Sequence, residues 1–302
     1  MLDSITTARA SCAGAAEMVR TLPVLALLLN AFTWGVSWWP FRWLQQHGLH
    51  PLWATALIYL AAVVAITLAR PQAWRQLFAA PVLWVLVAAA GTTNATFNWA
   101  VTIGDVVRVV LLFYLMPLWA VLLARALLGE RLTPWAALRV AMALAGAAIV
   151  LQPEGGGWPL PRTPAEWLGV VGGFSFALNN VMLRREAHQP ESARALAMFL
   201  GGALVALLLA GALALHGTLA RPPAPEPAWL VGAAALTLAF LAGNLALQYG
   251  AARLPANVTA VVMVSEVLFA SVSAVLLGAG QLTPALALGG ALIVGASLLS
   301  RR

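Results

Sequence analysis

The chain contains no lysine, a single cysteine and few charged residues of any kind. Only 9% of its 302 residues are charged and 62% are hydrophobic, whereas soluble domains carry about 25% charged residues. A soluble globule of this composition would lack the polar surface to cover its core. Cys12 has no partner for an internal disulfide or a cysteine-based metal site. These absences favour a protein whose outer surface meets lipid.

The net charge of +7 comes entirely from arginines on the basic side. They stand singly or in pairs between apolar runs, with no longer basic run and no interleaved aromatic platform. Arginines placed this way are typical of positions at lipid headgroups rather than of a nucleic-acid surface. We therefore predict the lipid bilayer as a partner and no nucleic acid.

About 20 consecutive apolar residues can cross a bilayer as a helix. Ten runs approach or exceed this length, at residues 22–41, 52–69, 82–103, 106–128, 134–151, 165–183, 193–216, 228–250, 256–277 and 284–299. The fold class predicted is an all-α integral membrane protein of ten transmembrane helices.

The arginines also predict the orientation of the chain. With the N-terminus in the cytoplasm, thirteen arginines fall on the cytoplasmic side and only Arg42, Arg108, Arg162 and Arg221 on the other. The positive-inside bias therefore predicts that both termini are cytoplasmic. We divide the chain into a cytoplasmic tail (1–21), a first five-helix repeat (22–152), an external linker (153–164) and a second five-helix repeat (165–302).

One short turn occurs twice, about half the chain apart. LLGERLTP at 127–134 returns as LLGAGQLTP at 276–284. In each copy a glycine is predicted to end one helix, while threonine caps the next and proline occupies its first turn. Because each half has an odd number of spans, the second half enters the membrane from the opposite side. The sequence thus predicts two inverted five-helix repeats, an arrangement typical of secondary transporters.

Polar side chains recur at matching depths in the third and eighth spans. Asn94 and Asn98 are four residues apart, and Asn244 and Gln248 repeat that spacing, which places each pair on one helix face. Such amides line a polar cavity or serve as hydrogen bonds between helices, worth about 0.6 kcal/mol each. Both interpretations stay open at this point.

Glu266 lies in the middle of the ninth span without another charge nearby in sequence. A carboxylate at the bilayer centre costs about 2.5–3.5 kcal/mol on insertion scales. It is therefore either a cavity group that binds a substrate amine or a coupling proton, or a protonated acid bonded to a neighbouring helix. In the equivalent region of the fourth span, Pro117 removes a helix hydrogen bond and predicts a kink.

Several further side chains near these polar positions are candidates to contact a substrate. They are Trp34, Trp38, Asn179, Trp99, Tyr114 and Tyr249. The alternative for the aromatic members is packing or a membrane-interface belt, since tryptophan and tyrosine are enriched at interfaces. Asp105 and Arg108 begin the fourth span and are interpreted as a solvated end or a local ion pair.

Catalytic signatures are missing. The sequence has no HExxH zinc helix, no GxSxG elbow and no P-loop, and its histidines have no metal-ligand spacing. We predict no enzyme activity, no cofactor and no metal.

The chain resembles the EamA type of the drug/metabolite transporter superfamily. The resemblance rests on ten spans in two halves, on the LLGERLTP turn at the end of the fourth span, and on Pro117 within that span. The second copy departs from the family turn, because Ala279 and Gly280 replace the Glu–Arg pair. The resemblance implies a bacterial inner-membrane protein that moves small metabolites, commonly amino acids outward. It also implies a cavity lined by the first, third, fourth, sixth, eighth and ninth spans. Some members are aromatic amino-acid exporters of the YddG type, but no stretch singles out that subgroup.

The function predicted is alternating-access export of a small amphipathic metabolite, with amino acids, including aromatic ones, as the expected class. A proton is the candidate coupling ion, and a monomer is favoured. Two alternatives remain: a membrane enzyme acting on a lipid-linked substrate, which would need paired catalytic groups, and a channel-like membrane protein, which would show conductance without saturation or counterflow.

Overall fold

The computed structural model describes residues 21–129, 133–152, 158, 160–251, 253, 262–263 and 265–298. Within these ranges the chain is helical and contains no strand. Twelve helical elements are numbered in chain order. The first six are α1 (Thr21–Gln46), α2 (Pro51–Ala69), α3 (Gln72–Ala79), α4 (Leu83–Ile103), α5 (Val106–Phe113) and α6 (Met116–Leu128). The others are α7 (Pro134–Leu151), α8 (Pro164–Arg185), α9 (Glu191–Leu215), α10 (Pro227–Ala251), α11 (Ser265–Leu276) and α12 (Pro284–Leu298).

Each of the ten predicted apolar runs contains a helix, but fewer of them satisfy length and hydropathy as membrane spans. Six segments do so in the described ranges, counting α5 and α6 as one, and a seventh is added if α3 and α4, bent by 107°, form one broken span. Helix α8 is 22 residues long, but its asparagines and Glu166 lower its mean hydropathy. Helices α11 and α12 are shorter, with 12 and 15 residues.

Two apolar helices are interrupted near a proline. Helix α1 has a turn at Ser37, where Pro40 lacks the N–H that would bond the Val36 carbonyl. The fourth apolar run divides into α5 and α6 at Tyr114 and Leu115, just before Pro117. A helix interrupted here exposes backbone and directs side chains away from the regular helix face.

The repeated turn has the predicted local structure in both copies. Gly129 and Gly278 take left-handed backbone angles, with φ of 69° and 67°, which glycine adopts without a Cβ penalty. The Thr133 hydroxyl accepts from the backbone N–H of Ala136 at 3.1 Å, and Thr283 does the same for Leu286 at 3.2 Å. The prediction of a glycine end and a threonine cap is confirmed in both turns.

Helices from the two halves of the sequence pack against each other. Helix α9 packs against α2, α3 and α4, helix α8 against α4, α5 and α6, and α12 against α7. The closest approach uses small residues: a Cβ on Gly91 would collide with the backbone of Gly201, and one on Gly202 with the Tyr59 ring. Membrane helices approach closely through such residues because packing replaces the hydrophobic effect in lipid. Leucines such as Leu208 and Leu238 remain exposed on the outer surface.

Candidate functional site

A cavity of ≈ 210 Å³ lies where helices of both halves meet. Its wall comes from α1, α2, α4, the break between α5 and α6, α8, α9, α10 and α11. The resemblance implied six lining spans; the structure adds α2 through Tyr59 and α9 through Met198 and Phe199. Most of the wall is aromatic or aliphatic, and its polar groups are amides, hydroxyls and one carboxyl.

Six of the predicted binding residues lie together in this wall: Trp34, Asn94, Tyr114, Asn179, Asn244 and Glu266. The Tyr114 hydroxyl donates to Glu266 Oε2 at 3.2 Å. Tyr114 can reach this carboxyl because it lies at the break between α5 and α6, and Gly173 allows α8 to pass close to the carbonyl of Phe113. The helix break and the carboxyl therefore belong to the same part of the cavity.

The first asparagine pair divides between two roles. The Tyr59 hydroxyl donates to Asn94 Oδ1, and Asn94 lines the cavity. One turn further, Asn98 is buried and its Nδ2 donates to Thr55 Oγ1 at 3.0 Å. The two bonds form a ladder between α4 and α2, in which Asn98 acts as a link between helices and does not reach the cavity.

Three predicted aromatic residues also lie away from the cavity, each with another partner. Trp38 donates from Nε1 to Ser273 Oγ at 2.9 Å. The Trp99 ring packs edge-on against His50, with centroids 5.5 Å apart. Tyr249 stacks under the guanidinium of Arg253 at 3.8 Å. These contacts give the three rings packing roles outside the cavity.

Two predicted positions have side chains outside the described part of the structure, Gln248 and Pro117. The backbone of Pro117 is described, and it occupies the first turn of α6. The same limit applies to Glu130 and Arg131 in the first turn motif.

Sequence reasoning missed several residues of the cavity wall, chiefly Asn30 and Tyr59. Asn30 is 1% exposed, and its Nδ2 donates to the carbonyl of Gly243 at 2.8 Å. A lone asparagine inside the first apolar run was an available signal, because polar residues are rare in such runs. Tyr59 carried no comparable signal, since a tyrosine within a span is compatible with simple packing. Aromatic rings complete the wall, with Phe113 packed against both Phe97 and Phe176.

A second polar site, the polar cluster, consists of Asp105, Arg108, Glu166 and Gln281. Arg108 Nη1 is 2.9 Å from Glu166 Oε1, which joins α5 to α8. Of the two interpretations of Asp105 and Arg108, a solvated helix end or a local ion pair, the second is wrong, because the Arg108 side chain extends to an acid 58 residues away. Glu166 Oε2 also accepts the backbone N–H groups of Arg162 and Thr163 at 2.7 and 3.1 Å, so the carboxylate is satisfied from several sides.

Asp105 ties the same cluster to the second half of the chain. Its Oδ1 caps α5 by accepting from the backbone N–H of Arg108 at 2.8 Å, and its Oδ2 accepts from that of Gln281 at 3.2 Å. Nearby, Arg42 donates to the carbonyls of Val101 and Gly104. Along α4 the cavity ends near Phe97 and the cluster begins near Gly104, a separation of about 10 Å at 1.5 Å per residue.

Among the described residues, no group of three or more His, Cys, Asp or Glu side chains could hold a metal ion. The chemistry available in the cavity is hydrogen bonding, aromatic contact and one carboxyl. This set suits reversible binding of a small molecule.

Comparison with known proteins identifies the first half of the chain. Residues 21–152 match the EamA-like transporter family. Two proteins of Pseudomonas aeruginosa are similar over part of their length: an uncharacterized transporter, 32% identical over 128 residues, and the chloramphenicol-sensitive protein RarD, 35% identical over 116 residues. The matched regions are 41% and 35% of this chain, and 40% and 38% of those relatives.

The EamA-like domain and its apolar helices make this a multi-pass membrane protein. The comparisons favour a transporter over an enzyme. The overall fold is shared more widely: one solved crystal structure aligns with 92% of this chain and 96% of its own, with a TM-score of 0.56 and 20% sequence identity. That likeness extends through the second half of the chain, which the family match does not cover.

Proposed function

We propose that this EamA-domain protein is a secondary transporter that moves a small amphipathic metabolite across the membrane by alternating access. The observation that carries the proposal is the position of Glu266 beside Tyr114 in a cavity enclosed by helices of both halves. Polar side chains that face lipid are costly, so a polar wall between the two halves is explained if a solute binds there. Export of amino acids from a bacterial inner membrane, with both termini cytoplasmic, is the specific form that the sequence favours.

The proposal treats the chain as two inverted five-helix repeats. Three features support it. Both halves carry the same glycine–threonine turn. Helices α7 and α12 cross with Gly146 and Gly289 facing each other. In both halves a glycine lies against a distant carbonyl, Gly35 at Glu266 and Gly173 at Phe113. Repeats related in this way can rock about a central site and so open it to either side in turn.

The polar cluster is proposed as the closed gate on one side of the cavity. It joins α5, α8 and the turn before α12 through charge-assisted bonds, and these elements would separate for the cavity to open past it. Breaking and reforming a few such bonds is a change on the scale of a few kcal/mol, which a substrate can bias.

Transport by purified protein in liposomes tests the function. We expect saturable uptake and counterflow of at least one amine-containing metabolite, with flux strongly reduced by Glu266→Gln and by Asn94→Ala. Glu226→Gln is the matched control, because that carboxyl lies in the exposed loop before α10. Unchanged flux in both cavity variants, for every substrate carried, would refute the site assignment. Conductance without saturation or counterflow would instead identify a channel.

A further inference from the structure

Five asparagines line the cavity, and three of them use their amide nitrogen within the protein. Each of the three donates to a backbone carbonyl: Asn30 to Gly243 at 2.8 Å, Asn94 to Ala90 at 2.7 Å and Asn244 to Phe240 at 3.0 Å. A carbonyl oxygen only accepts, so the nitrogen of each amide must be the atom that faces it. This chemistry fixes the amide orientations, and the oxygens are left for other partners.

The hydroxyl donors of the wall are also committed. Tyr59 donates to the oxygen of Asn94, and Tyr114 donates to Glu266. The Oδ1 atoms of Asn30 and Asn179 are buried without a donor among the described residues. The uncommitted donors of the wall are neutral ones: the indole N–H of Trp34 and the side-chain amides of Asn179 and Asn180.

The wall contains an acid and no base. Glu266 is the one ionisable carboxyl among the lining residues, and no arginine, lysine or histidine lines the cavity in the described ranges. The sequence of residues 254–261, which lie outside the described ranges and before α11, contains no charged residue either. The nearby Arg42 is engaged by carbonyls of α4 and Arg108 by Glu166. A ligand carboxylate would therefore meet an acid and no compensating cation.

Aromatic faces supply the remaining surface. Trp34, Phe113 and Phe176 line the same space as Glu266, and such rings attract both apolar groups and organic cations. The volume of ≈ 210 Å³ is below the roughly 300–1,000 Å³ of sites for drug-sized ligands. A ligand with one ammonium group on a small apolar body fits these features together.

We propose that the cavity selects small organic ammonium ions and discriminates against zwitterionic amino acids and carboxylate anions of the same size. The ammonium group pairs with Glu266, and the body packs against the aromatic wall. This substrate class rests on the proposed transport function, and it replaces the expectation of amino acids with amines that lack a free carboxylate. Discrimination arises because a ligand carboxylate buried beside Glu266 loses hydration without gaining a cationic partner.

The test compares ligands that share one body. Purified full-length protein in detergent at pH 7.5 is titrated with 2-phenylethylamine, phenylalanine and 3-phenylpropanoate, and again with hexylamine, norleucine and hexanoate, while tryptophan fluorescence and calorimetry report binding. At least one amine is expected to bind about tenfold or more tightly than its zwitterion, with the anion weakest. Binding of a zwitterion or anion as tight as its amine overturns the proposal, as does the absence of binding by both amines in folded protein.

Variants assign the selectivity to the wall. Glu266→Gln is expected to weaken amine binding about 10- to 100-fold, the range of hydrogen bonds to charged groups, while Glu226→Gln leaves it unchanged. Amine binding that survives Glu266→Gln in a protein of unchanged melting temperature contradicts the proposal.

Counterflow in liposomes separates this inference from the proposed function. Selective amine binding without flux of any ligand leaves the binding class standing and refutes transport. Equal flux of phenylalanine and 2-phenylethylamine leaves transport standing and refutes the ammonium selectivity.

Discussion

Removing the ion pair of the polar cluster should open one side of the protein. The perturbation is Arg108→Met, Glu166→Gln and the two combined. Arg108 Nη1 and Glu166 Oε1 are 2.9 Å apart and join α5 to α8. If the pair holds a closed gate, either single change should raise the population of molecules that are open past the cluster.

The magnitude follows from the surroundings of the pair. The Glu166 side chain is 7% exposed but that of Arg108 is 37% exposed, so solvent screening reduces the interaction below that of a buried pair. Glu166 also keeps two backbone N–H donors when Arg108 is removed, which limits the penalty of a stranded charge. About 1–2 kcal/mol is therefore expected, corresponding to about a 5- to 30-fold rise in the open population.

The assay is thiol labelling in the absence of the native cysteine. Cys12→Ser removes the one native thiol, and Val109→Cys places a small thiol at a site that is 1% exposed and borders the cluster. A hydrophilic maleimide should react slowly with the parent and about 5- to 30-fold faster with each single variant. The double variant should be labelled faster than the parent, but by a factor smaller than the product of the two single-variant factors, because both changes remove the same interaction.

Arg185→Met is the matched control. Arg185 pairs with its sequence neighbour Glu186 at 3.6 Å and so does not join two distant helices through that pair. Labelling should stay at the parent rate in this variant. Rates within twofold of the parent for both Arg108→Met and Glu166→Gln, in proteins with unchanged melting temperature, would refute the gate.

Three further predictions concern stability and the division of roles within the fold. Gly201→Ala should destabilise the protein by about 1–3 kcal/mol, because the added Cβ meets the backbone of α4. The loss should appear as a lower melting temperature in detergent. Gly211→Ala on the same helix should be neutral, because a Cβ at that position would have open space around it. Equal melting temperatures for the two variants would contradict the close helix contact. Burial lowers the pKa of His50, so the unfolded chain binds more protons below about pH 6.5. Stability should then fall as the pH is lowered from about 6.5 through the folded pKa. A series of melting temperatures against pH should show less of this loss in His50→Asn, which keeps a capping side chain. A pH profile unchanged by the substitution would exclude His50 as the source of the loss. Asn98→Ala should lower the melting temperature, since it removes the bond to α2, yet leave ligand affinity within twofold, and a large loss of affinity would place Asn98 in the binding site.

Sequence reasoning was most successful where the cause is local. The absence of charge predicted apolar helices, and the glycine–threonine–proline order predicted both turns, because capping and backbone freedom depend on a few adjacent residues. A glutamate inside an apolar run was conspicuous for the same reason, since its insertion penalty is a property of the residue itself. The number of complete spans was less certain, because polar wall residues lower the hydropathy of α8 while its length remains sufficient.

Tertiary structure decided which polar residues share a site. Asn94 and Asn98 have equivalent positions in the sequence pattern, yet Asn94 lines the cavity, whereas Asn98 is fully buried one turn away and bonds to Thr55 of α2. The ion pair of Arg108 with Glu166 depends in the same way on how α8 packs against α5. Composition and local order thus determined the helices, their ends and the buried acid. Only the packing of distant helices decided what faces the cavity and which hydrogen-bonding atoms remain free there, since those depend on residues up to 213 positions apart.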